Sequence, residues 1–228
     1  ANAGLGHNEQ ALLNFSKAVA IEPGNAELHN NLGAVFESLG NPNAAIDSYN
    51  LAVKLDPNYA AAHNNMGKVL TQSGEFKQAL TSIAIALKLN PDYADAHNNL
   101  GVANRALGQL EAAVVSYRKA VEIWPDFADA HNNLGNVLME FGEVDQAISC
   151  YNQALQLKPG YVQAYFNLGM AYKKMGKLDK VIECLGKALE IKPGFAAAHN
   201  GLGNAFKRVG KLLEARVSFN KAIQFNPE

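Results

Sequence analysis

Five of the six histidines recur at a fixed interval of 34 residues, a pattern that raises the question of a shared metal site. They are His29, His63, His97, His131 and His199. Imidazoles that bind one zinc ion must each approach it to about 2 Å. Equivalent residues of stacked helices lie about 10 Å apart, so they cannot share an ion. The spacing therefore predicts rings packed in the core of a repeated unit, with no metal and no cofactor.

Known motifs for phosphate binding and covalent catalysis do not occur. Gly176-Lys177 and Gly210-Lys211 lack the Ser or Thr and the earlier glycine of a phosphate-binding loop. The sequence also contains no His-Glu-x-x-His zinc signature and no Gly-x-Ser-x-Gly nucleophile. We therefore expect no catalytic residue and no enzymatic activity.

Asparagines form two columns at the same interval, one residue apart. The first column is Asn31, Asn65, Asn99, Asn133 and Asn167. The second is Asn30, Asn64, Asn98, Asn132 and Asn200. Carboxamides both donate and accept hydrogen bonds, so such a ladder suits the backbone of an extended peptide. Hydrogen bonding between neighbouring repeats is an equal alternative for the first column, whereas the helical angle of the second column predicts a concave, accessible face.

Prolines and glycines divide the chain into the elements that must position these columns. The prolines are Pro23, Pro57, Pro91, Pro125, Pro159, Pro193 and Pro227. The glycines are Gly6, Gly40, Gly74, Gly108, Gly142, Gly176 and Gly210. Apolar residues between these marks recur at helical spacing. Glycine suits the left-handed end of a first helix, helix A, and proline prevents extension of a second, helix B. The pattern predicts an all-α array of stacked helix hairpins.

A second glycine lies inside each helix A, where it costs about 1 kcal/mol relative to alanine. Gly135 is one example. The cost predicts close packing against a small residue of helix B. That column is Ala45, Ala79, Ala113, Ala147 and Ala215, with Val181 as the exception.

Composition and charge limit the possible partners. The net charge of −1 argues against a general polyanion binder, so we expect no nucleic acid partner. The charge is nevertheless uneven, because residues 1–161 carry −7 and residues 162–228 carry +6. No apolar run is long enough to span a membrane, and the two cysteines, Cys150 and Cys184, match no disulfide framework. A reduced, cytoplasmic protein without a membrane partner is expected.

The spacing resembles the tetratricopeptide repeat (TPR) family, whose 34-residue pattern includes Leu-Gly, Gly, Ala, an aromatic residue, Ala and Pro. One repeat shows it as Leu134-Gly135, Gly142, Ala147, Tyr151, Ala154 and Pro159. The resemblance implies a right-handed α-α superhelix, a single TPR solenoid over residues 1–228 that acts as a protein-protein interaction scaffold. Its units would be a partial repeat at 1–25 and repeats at 26–59, 60–93, 94–127, 128–161, 162–195 and 196–228.

Two branches of the family bear on the ligand. The asparagine columns resemble the superhelical repeats of O-linked N-acetylglucosamine transferases, which implies a substrate-recognition arm as the alternative function, with no transferase domain in this chain. Co-chaperone members hold a terminal carboxylate with basic residues of helix A. Here the corresponding positions hold no cation, which disfavours that clamp: Glu27, Ala61, Asp95, Asp129, Gln163 and Ala197.

A peptide-binding groove is predicted along the helices A. Besides the second asparagine column it comprises Lys68, Arg105, Asn136, Phe166, Met170, Lys173, Lys174, Asn204, Lys207 and Arg208. Phe166 and Met170 could anchor an apolar residue flanked by acidic ones. The competing interpretation is that they fill a gap left by Val181 or cover an inter-repeat contact. Uncovered apolar residues of the last helix, such as Phe219 and Ile223, further predict possible end-to-end self-association.

Overall fold

The computed structural model describes the backbone of residues 2–226 and the side chains of residues 7–226; Ala1, Pro227 and Glu228 lie outside this range. The described residues form thirteen α-helices and no strand. The helices are α1 (Asn2–Ile21), α2 (Ala26–Ser38), α3 (Pro42–Leu55), α4 (Ala60–Gln72), α5 (Phe76–Leu89), α6 (Ala94–Ala106), α7 (Leu110–Ile123), α8 (Ala128–Phe141), α9 (Val144–Leu157), α10 (Val162–Lys174), α11 (Leu178–Ile191), α12 (Ala196–Arg208) and α13 (Leu212–Phe225). The predicted all-α class is confirmed.

Glycine and proline separate the helices as the sequence predicts. Six turn glycines, from Gly40 to Gly210, have positive φ values between 72° and 83°. Gly142, for instance, caps α8 in the left-handed conformation. Gly6 is different because it lies within α1.

The helices pair as hairpins, and the chain divides into two compact units, residues 1–124 and 125–228. In the first unit α2–α3, α4–α5 and α6–α7 are the hairpins, and α1 packs on α2. In the second unit the hairpins are α8–α9, α10–α11 and α12–α13. Within each unit every helix B also contacts the helix A that follows it, as in a solenoid. Even-numbered helices are therefore the helices A, on which the asparagine columns lie.

Alanines and aromatic rings share the core between the two helices of a hairpin. Ala147 is completely buried and Tyr151 is 1% exposed. A Cβ atom added to Gly135 would lie 2.6 Å from Cε1 of Tyr151. The atoms nearest to such a Cβ belong to the Tyr151 ring, one turn further along helix B than Ala147, whereas at the equivalent Gly67 the backbone oxygen of Ala79 also lies within 3.2 Å.

Candidate functional site

The histidine column fastens each proline turn to the following helix A. Each Nε2 lies 2.8–3.0 Å from the carbonyl oxygen of the proline six residues earlier. Because a carbonyl only accepts, Nε2 carries the proton and donates. His29, His63 and His199 are buried, whereas His97 and His131 are half-buried. No group of three or more His, Cys, Asp or Glu in the described part of the chain could hold a metal ion.

The first asparagine column ties neighbouring helices A together. In residues 1–124, Nδ2 of Asn65 donates to Oδ1 of Asn30 at 3.0 Å, and Nδ2 of Asn99 donates to Oδ1 of Asn64 at 2.9 Å. In residues 125–228, Nδ2 of Asn167 donates to Oδ1 of Asn132 at 3.0 Å. These contacts match the alternative of hydrogen bonding between repeats.

Three residues of the second column are buried, although its helical angle predicts an accessible face. Asn30 is 7% exposed, and Asn64 and Asn132 are each 3% exposed. Their carboxamides turn toward the next helix A and accept the bonds described above, which removes them from solvent. Asn98 is half-buried and Asn200 is exposed.

The first column supplies the hydrogen-bond acceptors of this surface. Asn65, Asn99 and Asn167 are half-buried, as are Asn31 and Asn133. Their Nδ2 groups are held by the neighbouring repeat, whereas Oδ1 of Asn65, Asn99 and Asn167 accepts no hydrogen bond from the described residues. The boundaries α2/α4, α4/α6 and α8/α10 thus each contain a carboxamide oxygen whose orientation is fixed by its own donor group.

Two other predicted groove residues are held by neighbours. Lys68 forms an ion pair with Glu37 at 2.7 Å. Oδ1 of Asn136 accepts from the Tyr151 hydroxyl and from Nδ2 of Asn167, both at 2.9 Å. Arg105 is exposed in the last turn of α6. Asn136 therefore belongs to the ladder itself.

Phe166 and Met170 are half-buried and join the apolar cluster around Leu185. The ring of Phe166 lies 5.0 Å from that of Phe195, centroid to centroid. A Cβ atom on Gly201 would lie 3.4 Å from Cε of Met170. This packing favours the interpretation that the two side chains cover an inter-repeat contact.

Gly201 is the residue whose importance sequence reasoning missed. It stands in the first asparagine column, exactly one period after Asn167, while Phe166 stands in the second. The pair therefore replaces an amide pair such as Asn132 and Asn167. Comparing each residue of the second column with the first-column residue 35 positions later would have revealed that both members of this pair are substituted.

Basic side chains gather at the ends of α10 and α12. Lys173, Lys174, Lys207 and Arg208 occupy their last turns and are exposed. Nζ of Lys174 donates to the Met139 carbonyl at 3.4 Å. The other three have no ion pair in the described part of the chain. Lys173, Asn204 and Arg208 border one recess.

Other predicted surfaces lie away from these columns. On α13, Leu212, Leu213 and Ile223 are mostly exposed, and self-association through this helix stays a prediction. Cys150 and Cys184 are thiols on α9 and α11. Among the described helices, none has the length and apolar character needed to cross a membrane.

Several solved structures share the fold. A chain of the APC/C hetero-tetramer Cut9-Hcn1 aligns over 98% of this chain with a TM-score of 0.86 at 20% identity. This chain covers only 44% of that chain's length. MamA is 31% identical, with 71% of this chain and 95% of that chain covered and a TM-score of 0.65. YrrB, described as a TPR protein with an unusual peptide-binding site, is 27% identical, with 81% and 95% covered and a TM-score of 0.59.

Comparison with models of sequence families identifies the family to which the chain belongs. Comparison with proteins of curated function finds no match. A family model described as TPR repeat matches residues 4–40, 67–108, 103–142 and 135–176. Models described as tetratricopeptide repeat match residues 26–59, 162–195 and 196–228. The chain belongs to the tetratricopeptide repeat family.

Proposed function

We propose that the chain is a non-catalytic scaffold that binds an extended segment of a partner protein along its helices A. The observation that supports this proposal most is the presence of oriented carboxamide oxygens in each unit. In residues 1–124, Asn65 and Asn99 donate through Nδ2 to the preceding repeat and keep Oδ1 without a partner among the described residues, and Asn167 does the same in residues 125–228. A row of fixed acceptors suits backbone N–H groups, which every peptide carries.

The spacing of this row fits an extended chain. Packed helices lie about 8–10 Å apart, and an extended peptide advances about 3.3 Å per residue. One carboxamide therefore meets the peptide backbone about every third residue. Because these contacts are made with the peptide backbone, they contribute affinity whatever side chains the peptide carries. Sequence preference must come from other residues of the same surface.

Similarity to solved structures is consistent with the proposal but is not the evidence for it. YrrB is described as having an unusual peptide-binding site, and the same broad activity is proposed here. The alternative of a recognition arm for a glycosyltransferase would use the same peptide-binding surface. The binding experiment therefore applies to both.

The test compares two alanine variants that break the same hydrogen bond from opposite sides. Peptides are first selected from a randomised library on the wild-type protein, and their affinities are then measured by fluorescence polarisation. Asn99→Ala removes both the inter-repeat bond and the oxygen offered to the peptide. We expect the Kd to rise about five- to tenfold, the value of one hydrogen bond.

Asn64→Ala is the matched control. It removes the acceptor of the same bond but leaves the Asn99 oxygen in place. Its Kd should rise by less than that of Asn99→Ala, because the Asn99 oxygen is retained although the bond that orients it is lost. Equal losses of affinity in both variants would show that the Asn99 oxygen itself contributes nothing to binding, and would contradict the role of the ladder.

A further inference from the structure

The outer face of α13 carries two exposed apolar side chains. Leu213 is 69% exposed and Val217 is 52% exposed. They are four residues apart and therefore share one face of the helix. Ala215 and Ser218, the buried residues of α13, lie on the opposite face. The apolar pair thus points away from the core of its hairpin.

This exposure does not depend on where α13 stands in the array. The residues equivalent to Leu213 in the other helices B are all exposed and all polar: Glu9, Asn43, Lys77, Glu111, Asp145 and Asp179. Those equivalent to Val217 are also all exposed, and four of the six are polar: Leu13, Asp47, Thr81, Val115, Ser149 and Glu183. Among the described helices B, α13 is the one in which both solvent-facing positions are apolar.

Cations surround this apolar pair. At 100° per residue, Arg216 and Lys221 lie on either side of it, and Lys211 directly precedes the helix. All three are exposed, and none forms an ion pair within the described range. Glu214 is the one acidic residue of α13. The face therefore combines an apolar centre with an excess of positive charge.

The turn before α13 extends the basic surface. It reads Lys207-Arg208-Val209-Gly210-Lys211, whereas the turn before α9 reads Met139-Glu140-Phe141-Gly142-Glu143. The two glycines have φ values of 80° and 83°, so the turns share one backbone conformation. The three cations of the first turn are exposed. The same structural element is thus acidic at one hairpin of residues 125–228 and basic at another.

We propose that the outer face of α13 and the turn before it bind the surface of a membrane that contains anionic lipids. Leu213 and Val217 enter the boundary between headgroups and acyl chains, and the surrounding cations contact the negative headgroups. Such a contact is peripheral and needs no spanning helix. The sequence-based expectation of no membrane partner considered only segments long enough to cross a bilayer. The inference is independent of the peptide-binding surface proposed for the helices A.

The aliphatic centre of this face favours lipid over other anionic partners. A bilayer accepts protruding apolar side chains at any point of its surface, whereas a protein partner must supply a matching recess. Nucleic acids are bound through phosphate contacts and through stacking of bases on aromatic rings. Leu213 and Val217 contribute to neither of these. An anionic bilayer is the partner that uses both the cations and the aliphatic side chains.

The experiment measures co-sedimentation of the chain with vesicles of phosphatidylcholine alone and of phosphatidylcholine mixed with phosphatidylserine. We expect the partition coefficient to be about tenfold higher, or more, on the anionic vesicles. It should fall as the salt concentration rises, because salt screens the attraction between the cations and the headgroups.

Two double variants test the two parts of the face with residues that other repeats hold at the same positions. Leu213→Asn/Val217→Thr introduces the residues of α3 and α5 without changing the charge. Lys211→Gln/Lys221→Gln introduces the equivalents Gln109 and Gln153. Each should lower the partition coefficient on anionic vesicles about tenfold, the first through lost apolar burial and the second through lost charge.

Matched controls remove the same groups elsewhere. Val115→Thr replaces an exposed valine of the same column on α7. Lys158→Gln/Lys192→Gln removes two exposed cations from the turns that follow α9 and α11. Both should leave vesicle binding unchanged. Circular dichroism melts establish that each variant is folded.

Other outcomes overturn the inference. Absence of binding to anionic vesicles, equal binding to neutral ones, or binding that Leu213→Asn/Val217→Thr leaves unchanged would each refute it. An oligonucleotide bound through Lys211 and Lys221, without any vesicle binding, would assign the cations to nucleic acid. Self-association that Leu213→Asn/Val217→Thr abolishes, again without vesicle binding, would assign the face to a second copy of the chain. Peptide binding should be unchanged in these variants, so the two proposals fail separately.

Discussion

Two neighbouring boundaries between helices A in residues 125–228 are built from opposite chemistry. Between α8 and α10, Asn167 donates to both Asn132 and Asn136. Between α10 and α12, the positions equivalent to Asn132 and Asn167 hold Phe166 and Gly201, and apolar contacts replace the amide bonds. The first boundary is joined by two hydrogen bonds between carboxamides. The second lacks both bonds and is packed by apolar side chains, so a few substitutions change the chemistry of a repeated contact.

Replacing Gly201 alone by asparagine should destabilise the boundary between α10 and α12. Gly201→Asn inserts a side chain whose Cβ would lie 2.8 Å from Leu185, a residue with no exposed surface. Overpacking of this kind costs about 1–3 kcal/mol. We expect a loss near the upper end of that range in urea unfolding. Gly201→Ala places the same Cβ 2.8 Å from Leu185, but it gains about 1 kcal/mol in helix propensity and adds no carboxamide, so it should be less destabilising than Gly201→Asn.

The double variant Phe166→Asn/Gly201→Asn sharpens this prediction. Its two new carboxamides stand where Asn132 and Asn167 bond in the preceding boundary. The double variant should therefore be about 1 kcal/mol less destabilised than the sum of the two single variants. Strict additivity would show that the two positions are independent, and the paired explanation would fail.

The comparison also explains which parts of the structure were predictable from the sequence. Turn glycines such as Gly142 and core alanines such as Ala147 depend on local spacing, and both were correctly placed. The orientation of Asn132 was not, because its carboxamide is directed by Asn167, which lies 35 residues away. The contact between Gly135 and Tyr151 likewise depends on how far a ring reaches across the hairpin. Periodicity determines which residues are equivalent, but the distance between repeats determines what each one touches.

The boundaries α4/α6 and α8/α10 should lose different amounts of stability when the asparagine that accepts the inter-repeat hydrogen bond is removed. Asn64 and Asn132 are equally buried, so their alanine variants lose similar packing. Asn64→Ala leaves Nδ2 of Asn99 without its acceptor, whereas Asn132→Ala leaves Asn167 bonded to Asn136 at 2.9 Å. We expect Asn64→Ala to cost about 0.5–1 kcal/mol more in the free energy of unfolding.

Adding Asn136→Ala to Asn132→Ala provides the control. The second substitution removes the remaining acceptor of Asn167 and should raise the loss of stability by more than Asn136→Ala does alone. If Asn64→Ala and Asn132→Ala proved equally destabilising, the second bond to Asn136 would contribute nothing.

The two cysteines differ in burial. Cys150 on α9 is half-buried, whereas Cys184 on α11 is 6% exposed. Burial, assisted by the charge of Glu183, raises the pKa of the Cys184 thiol from 9.0 to about 11. Because the thiolate is the reactive form, iodoacetamide at mildly alkaline pH should alkylate Cys184 at least tenfold more slowly than Cys150, by an order-of-magnitude estimate.

The same shift in the pKa of Cys184 has a small effect on stability. The folded state holds the thiol proton more tightly than the unfolded state, so the stabilisation is complete below pH 9 and is lost as the pH rises toward 11. The free energy of unfolding of Cys184→Ala should therefore decrease less between neutral pH and pH 10 than that of the wild type. Parallel pH profiles for the two proteins would mean that Cys184 ionises as readily in the folded state as in the unfolded chain, and the surroundings of this thiol would then be open to water.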